Sequence, residues 1–349
     1  MTRHPRRQPA EPIERLAERL PVFVVTGFLG SGKTTLLNHL LGQPGMDRTA
    51  VVVNEFGSVG LDHRLMATAS EDLVVLDGGC VCCSLRGDLI TTLRNLFLRR
   101  VRMEVPEFER VCIETTGLAD PAPILHTLLA DPLVNARYRL QTVIALVDAV
   151  LGESQLERFP QAQKQAAMAD RLVVTKTDLA GEDAVEHLMG ALRRLNPTAT
   201  VLRAAHGRME TDRLLGGGLY DTARKAADVP GWLGARSDPG AGNGHGVQSF
   251  CIEVAAPVAG DALYRALEIL VREHGEELLR LKGIVAVEGE HGTVAIHAVQ
   301  HLLHPPVALA QAVPAPPTGR LVCITRNLSE QAVRRILRDT GMALLPAEG

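Results

Sequence analysis

From Pro21 onward, short apolar runs alternate with longer stretches whose apolar residues recur with helical spacing. The apolar runs predict buried strands at Val22–Thr26, Ala50–Val53, Leu73–Leu76, Arg110–Glu114, Val143–Asp148 and Arg171–Thr175. The segments between them predict helices, among them Thr34–Leu41, Leu85–Arg99 and Pro121–Leu129. Apolar strands that alternate with helices form a parallel sheet covered on both faces, so the pattern predicts a doubly wound, mostly parallel α/β domain. In such folds the ligand-binding loops follow the carboxyl ends of the strands, at one edge of the sheet.

A Gly-rich run at Ser237–Gly246 separates this region from a second one, because such a sequence cannot bury a core and is typical of a linker. We therefore expect an N-terminal tail at 1–20, a first domain at 21–228, a linker at 229–247 and a smaller C-terminal α/β domain at 248–345. The elements predicted in the smaller domain are strands at Ser249–Val254, Ile284–Glu288, Thr293–His297 and Leu321–Thr325, a helix at Asp261–His274, and a last helix capped by Ser329 that runs through Leu337.

The composition is that of an ordinary globular protein, and its formal net charge of −3 argues against a nucleic-acid-binding surface. No segment resembles a signal peptide or holds about eighteen uninterrupted apolar residues, so we expect no membrane span and predict a cytoplasmic location. In a reducing cytosol the six cysteines are not expected to form a disulfide framework. Cys112, Cys251 and Cys323 lie in apolar, strand-like runs and are interpreted as small core residues.

The turn after the first predicted strand reads Gly27-Phe28-Leu29-Gly30-Ser31-Gly32-Lys33-Thr34, in the Gly-x4-Gly-Lys-Ser/Thr pattern of phosphate-binding loops. Glycines let backbone N–H groups wrap around phosphate oxygens, the lysine reaches the β- and γ-phosphates, and the threonine hydroxyl ligates Mg²⁺. The pattern follows a strand and opens a helix, as that mechanism requires. It predicts a nucleoside triphosphate site with contacts from Gly27, Gly30, Ser31, Gly32, Lys33, Thr34 and Thr35.

Thr175-Lys176-Thr177-Asp178 ends another predicted strand and bears on the identity of the base. A carboxylate at Asp178 can accept hydrogen bonds from N1–H and the N2 amino group of guanine, a pair that adenine does not offer. The motif resembles the Asn/Thr-Lys-x-Asp guanine signature, and a helix-capping turn is the structural alternative. GTP is therefore the favoured nucleotide. Base contacts are predicted at Thr175, Lys176, Asp178 and the backbone loop around His206.

Acidic residues follow two further strands of the first domain. Glu114, in Glu114-Thr115-Thr116-Gly117, is expected to hold Mg²⁺ directly or through water, and the Gly117 amide to sense the γ-phosphate. Glu55 and Asp62 follow the second strand and are predicted to orient water or complete a metal site. Ordinary solvated loop acids are the alternative for these two residues. The predicted catalytic residues are Lys33, Glu55, Asp62 and Glu114.

Three cysteines within four residues, Cys80, Cys82 and Cys83, follow the strand predicted at Leu73–Leu76. Adjacent cysteines form only a strained disulfide, whereas closely spaced thiolates favour Zn²⁺ or another thiophilic ion over Mg²⁺. Three sulfurs do not close a tetrahedral shell, so the motif suits a carrier that releases its metal. A chance cluster of buried thiols is the alternative.

Together these motifs resemble those of the CobW-like, YjiA-type P-loop metallochaperone GTPases, relatives of the urease and hydrogenase maturation GTPases. The resemblance spans about Val22 to Leu337 and rests on Gly27–Thr35, Asn54–Gly57, Gly79–Cys83, Glu114–Pro121, Thr175–Asp178 and Val299–Pro306. It implies slow GTP hydrolysis, binding of Zn²⁺ or Co²⁺ at the Gly-Cys-x-Cys-Cys motif, and delivery of the metal to a client metalloprotein. The C-terminal domain is then expected to face the partner. The sequence leaves open whether the protein forms a homodimer.

The chain departs from this family directly after Asn-Glu-Phe-Gly, where many relatives carry a glutamate and this sequence has Ser58. An oxygen or nitrogen ligand from Glu55 or His63 is the alternative. Three histidines, His297, His301 and His304, have a spacing that would align them on a helix, and a structural or solvated role is favoured for them. Two other functions stay open, a small-molecule kinase that uses the P-loop and a nucleotide-regulated scaffold.

Overall fold

A computed structural model describes residues 19–54, 74–77, 85–215, 246–289, 292–309 and 318–346. The strands of the first domain are β1 Leu20–Gly27, β2 Thr49–Asn54, β3 Val74–Asp77, β4 Arg110–Thr115, β5 Tyr138–Asp148, β6 Arg171–Thr175 and β7 Thr200–Arg203. They form one seven-stranded sheet in the order β3-β2-β4-β1-β5-β6-β7, and every pairing in it is parallel. All carboxyl ends of these strands therefore lie at the same edge.

Helices cover both faces of this sheet, which explains why its strands are apolar along their whole length. They are α1 Lys33–Leu41, α2 Leu85–Val101, α3 Ala122–Ala130, α4 Pro132–Asn135, α5 Gly152–Arg158, α6 Pro160–Met168, α7 Glu182–Leu195 and α8 Thr211–Leu215. Alternate residues of β1 serve the two faces: Val22 and Val24 belong to one buried cluster, Phe23 and Val25 to the other. The central strand β1 thus joins two cores.

The C-terminal part of the chain forms a second sheet with an antiparallel arrangement. Its strands are β8 Val247–Ala255, β9 Leu278–Ala286, β10 Thr293–Val299, β11 Leu302–Leu303, β12 Val307–Ala308 and β13 Thr318–Arg326, and its helices are α9 Gly260–Glu273 and α10 Glu330–Asp339. The strand order is β11-β10-β9-β13-β8, with β12 on β10. Both helices pack on one face, where Leu263, Leu267 and Leu270 of α9 are buried at helical spacing. Ser329 caps α10, since its Oγ accepts a hydrogen bond from Ala332 N at 3.2 Å.

The opposite face of the second sheet packs on the first domain. Four of its apolar residues, Val247, Leu279, Val299 and Ile324, belong to the same buried cluster as the core of the parallel sheet. Polar contacts accompany them: Ser249 Oγ donates to Arg194 O at 2.6 Å. The two sheets therefore share one continuous core.

The predicted fold class is confirmed, but the helical alignment that the histidine spacing allowed is not found. His297, His301 and His304 do not lie on a helix, because Gln300, with φ 49°, turns the chain from β10 into β11. His297 and His304 are buried on this hairpin, with ring centroids 4.5 Å apart. The proposed domain limits stay predictions, since the tail at 1–18 and the segment 216–245 lie outside the described residues. None of the described helices is both long and apolar enough to cross a bilayer.

Candidate nucleotide-binding site

The loop between β1 and α1 has a backbone that its glycines make possible. Gly30 and Gly32 adopt φ of 74° and 86°, a region that residues with a Cβ rarely enter. Gly27 is needed for space, because a Cβ there would lie 2.5 Å from the Leu146 carbonyl oxygen of β5. Lys33 begins α1, so the free N–H groups of a helix N-terminus open onto the loop. This geometry suits the binding of phosphate oxygens.

Lys33, Thr34 and Glu114 meet at the mouth of this loop. The Lys33 ammonium donates to the carbonyl oxygens of Gly27 and Phe28 at 3.0 and 3.3 Å. The Thr34 hydroxyl donates to Glu114 Oε1 at 2.8 Å, and Glu114 is buried at the carboxyl end of β4. A hydroxyl and a carboxylate side by side are the hard oxygen donors that Mg²⁺ prefers, so these residues fit a magnesium ion.

The guanine-type motif after β6 is tied to the phosphate loop and to β5. Thr175 Oγ1 donates to Ser31 O at 2.7 Å, which braces the phosphate loop from behind. Lys176 Nζ lies 2.6 Å from Asp148 Oδ2, and Asp148 is buried. Asp148 also accepts hydrogen bonds from the amides of Val150 and Leu151. The motif is therefore held in place by a carboxylate that the sequence analysis did not single out.

Asp178 and His206 lie together beyond this point. Asp178 Oδ1 accepts from the backbone N–H of His206 at 2.9 Å, and His206 Nδ1 lies 3.1 Å from Asp178 Oδ2. The His206 N–H holds the pKa of the Asp178 carboxyl below its ordinary value. The next residue, Gly207, has φ 70°, and a Cβ on it would lie 2.8 Å from Thr35 Cγ2. The 204–207 loop thus connects Asp178 to the phosphate-loop helix.

The segment after Glu114 is packed between the phosphate loop and α6. A Cβ on Gly117 would lie 2.7 Å from Leu29 N and Cα, so only glycine permits this approach. Gln165 Nε2 donates to the carbonyl oxygens of Gly117 and Ala119 at 3.2 and 3.0 Å. These contacts fix the position of the Gly117 backbone relative to the phosphate loop. Gln165 was not anticipated from the sequence, because its partners lie 48 and 46 residues away.

Part of the predicted site lies outside the described residues, namely Glu55, Asp62, Cys80, Cys82 and Cys83, together with Ser58 and His63. Among the residues that the structure does describe, no group of three or more His, Cys, Asp or Glu side chains is placed to hold a metal ion. The structure therefore describes the geometry of the predicted phosphate and base contacts. The predicted cysteine site for metal remains a prediction.

Comparisons with protein families identify both parts of the chain. Residues 21–203 match the model of the CobW/HypB/UreG nucleotide-binding domain, and residues 247–340 match the cobalamin synthesis protein cobW C-terminal domain. Among curated relatives, the zinc chaperone YjiA of Escherichia coli K12 is 35% identical over 81% of this chain and 87% of its own length. The zinc chaperone CobW of Pseudomonas aeruginosa is 28% identical over 94% of this chain and 92% of its own.

Solved structures agree with these matches. The crystal structure of the zinc-bound YjiA GTPase from E. coli superposes with a TM-score of 0.67 at 30% identity, over 93% of this chain and 99% of that one. A zinc-bound variant of YjiA with one glutamate and two cysteines replaced by alanine gives a TM-score of 0.68 at 31% identity. Two domain models in succession and 35% identity to a relative over most of its length establish that this chain belongs to the CobW/HypB/UreG family of P-loop GTPases.

Proposed function

We propose that this GTPase is a zinc metallochaperone that binds Zn²⁺ at Cys80, Cys82 and Cys83 and transfers it to a client metalloprotein under the control of GTP. The observation that carries the proposal is the direction of β3, which is parallel to β2. The thiol motif follows β3 in sequence, and β3 ends at the edge where β1 and β4 present the phosphate loop and Glu114. Metal and nucleotide are then bound at one edge.

The nucleotide half of this function follows from the charges at that edge. Lys33 offsets phosphate charge, and Thr34 and Glu114 hold the magnesium ion that accompanies GTP. Asp178, whose carboxyl pKa is lowered by the backbone N–H of His206, selects guanine through its paired hydrogen bonds. In this proposal Glu55 and Asp62 orient the attacking water.

The metal half rests on the chemistry of the thiols and on the relatives. Closely spaced thiolates favour Zn²⁺, or Co²⁺ as a second borderline ion, over Mg²⁺. Because Ser58 stands where many relatives have glutamate, we propose that Glu55, His63 or the client itself supplies the fourth ligand. The YjiA variant that lacks one glutamate and two cysteines is still zinc-bound. A test must therefore separate the tight site from weaker ones.

The proposal is tested by titrating Zn²⁺ against a chromophoric chelator with the protein nucleotide-free, bound to GDP, and bound to a slowly hydrolysed GTP analogue. We expect Cys82→Ser and Cys83→Ser to abolish the tightest site. We also expect the affinity of that site in wild type to differ between the GDP and GTP-analogue states by about 5- to 150-fold, the usual range of coupling between two sites. Cys251→Ser is the matched control, since Cys251 is a free, partly exposed cysteine in the C-terminal domain.

Two results would contradict this function. Full zinc affinity in both variants would remove the cysteines from the metal site. Equal zinc affinity in all three nucleotide states would mean that GTP does not control the metal, even if the thiols bind it. Transfer is then examined by mixing the zinc-loaded protein with a candidate apo-metalloprotein and comparing the rate with GTP and with GDP.

A further inference from the structure

Helix α6 reaches from the nucleotide site to the C-terminal domain. Phe159, which precedes the helix, stacks on Phe28 of the phosphate loop with ring centroids 4.7 Å apart. At the other end of the helix, the carbonyl of Met168 accepts a hydrogen bond from Arg280 on β9. A helix of nine residues thus contacts the phosphate loop at its start and the second sheet at its end.

Within α6, Gln165 and Lys164 hold the segment that follows Glu114. The Gln165 side chain is 1% exposed, and its two hydrogen bonds go to carbonyls of Gly117 and Ala119, which belong to no strand or helix. Lys164 forms an ion pair with Asp120 at 2.7 Å. A buried amide is expensive to leave without its hydrogen bonds, so Gln165 ties the path of this loop to the position of the helix.

The far end of α6 is a junction between the two domains. Asn196 Nδ2 donates to the carbonyls of Ala166, Ala167 and Ala169 from within the first domain. From the other side, Arg280 pairs with Asp170, which follows the helix, in addition to its bond to Met168. Arg280 is 1% exposed and belongs to the C-terminal domain. The position of the C-terminal domain therefore affects the last turn of α6 directly, through the contact between Arg280 and Met168.

We propose that Gln165 is a positioning residue for GTP hydrolysis, and that docking of the C-terminal domain through Arg280 acts on hydrolysis by way of α6 and Gln165. A short helix in a close-packed interior shifts as a unit. A displacement of Met168 therefore moves Gln165 and, with it, the Gly117 carbonyl. Because coupling between two binding events is reciprocal, the bound nucleotide then also alters how strongly the C-terminal domain docks on α6. The proposal rests on the GTPase activity and not on the metal site.

The first experiment separates positioning from stability. Gln165→Leu keeps the side-chain size and removes both donors, so we expect kcat for GTP to fall about tenfold while KM changes less than about twofold, the signature of an interaction made at the transition state. Gln161→Leu is the matched control, because Gln161 is an exposed glutamine on the same helix, and it should leave kcat unchanged. An unchanged kcat in Gln165→Leu, with or without a lower Tm, would overturn the role of Gln165.

The second experiment tests the path from Arg280. Arg280→Lys keeps the positive charge near Asp170 but loses the planar guanidinium that reaches Met168 O. As a single substitution it is expected to lower kcat about threefold. In the Gln165→Leu background the same change should have almost no further effect, because the two residues act in series. Effects that simply multiply would show that Arg280 acts independently of Gln165.

Hydrogen exchange supplies an independent measurement that does not require Arg280→Lys to fold. Amides at 279–282 of β9 are followed in the GTP-analogue and GDP states. We expect a nucleotide-dependent difference in wild type that disappears in Gln165→Leu. Equal exchange in the two states of wild type would overturn the coupling. Zinc and cobalt are left out of every assay, so a failure here is distinct from a failure of the metal function.

Discussion

At the scale of single residues, the nucleotide edge is held together by side chains whose partners are far away in sequence. Lys176 and Asp148 are 28 residues apart, and so are Asp178 and His206. Each pair orients a motif residue that the sequence had already marked for the base. The carboxylate predicted to recognise the base, Asp178, is thus held by a residue that lies far from it in the sequence.

Asp178→Asn tests the selection of guanine. The amide keeps one acceptor but turns the second oxygen into a donor that faces the N2 amino group, so we expect GTP affinity to fall by about 10²-fold or more. Xanthosine triphosphate, which carries an oxygen in place of that amino group, should bind the variant better than GTP does. Fluorescence titration with labelled nucleotides measures both affinities. Unchanged preference for GTP would show that Asp178 does not contact the base.

At the scale of secondary-structure elements, β6 joins the base motif at its carboxyl end to an interdomain charge cluster at its start. Asp170 immediately precedes β6, accepts from Val143 N at 3.0 Å and pairs with Arg280, while Lys282 Nζ lies 3.6 Å away. Burial raises the pKa of the Asp170 carboxyl. The two cations and these hydrogen bonds lower the pKa by more than burial raises it, so it lies below the ordinary value. The cluster therefore holds an ionised carboxylate inside the interface.

Asp170→Asn is expected to destabilise the protein by about 3–5 kcal/mol, because it leaves Arg280 buried beside an uncharged partner. Since the folded-state pKa is lowered, the contribution of Asp170 is present above the ordinary carboxyl pKa of 3.8 and is lost as the pH falls through the lower folded-state value. Urea unfolding of both proteins at several pH values measures this difference.

Asp120→Asn provides the comparison for that prediction. Its ion pair with Lys164 is partly exposed, so the expected loss is only about 0–1 kcal/mol. Equal losses from the two substitutions would mean that the interdomain cluster adds nothing beyond an ordinary surface pair.

At the scale of the whole molecule, the two sheets are expected to unfold together. Leu279 on β9 is fully buried in the core of the parallel sheet, and Val299 and Ile324 join it there. A core shared in this way makes the free energy of one domain depend on the presence of the other.

Leu279→Ala tests this dependence, since it should lower stability by about 2–5 kcal/mol through a cavity in the shared core. Native-state hydrogen exchange is then expected to show faster opening of amides in β5 as well as in β9. Leu267→Ala is the matched control, because Leu267 of α9 belongs to the separate core between the second sheet and its own helices. If Leu279→Ala affects β9 alone, the domains unfold independently.

Much of the first domain was predictable because apolar runs report burial directly. The predicted strand at Arg171–Thr175 coincides with β6, and the others differ from the structure mainly at their ends. β5 begins at Tyr138, earlier than the predicted Val143, because Arg139 and Gln141 interrupt the apolar run. Arg139 nevertheless pairs with Pro21 of β1, and Gln141 lies where the register of the two strands shifts. The helical spacing of His297, His301 and His304 did not reveal their fold either, because spacing alone does not show that Gln300 reverses the chain.

The sequence by itself predicted which residues bind phosphate and base, since glycines, a lysine and a carboxylate act through local chain geometry. It also determined the family and the parallel sheet. The tertiary structure alone decided that Asp148 holds Lys176, that Gln165 holds Gly117 and that Arg280 holds Asp170. Those pairs are 28, 48 and 110 residues apart, and a hydrophobic pattern encodes which positions are buried but not which polar side chains meet across a fold.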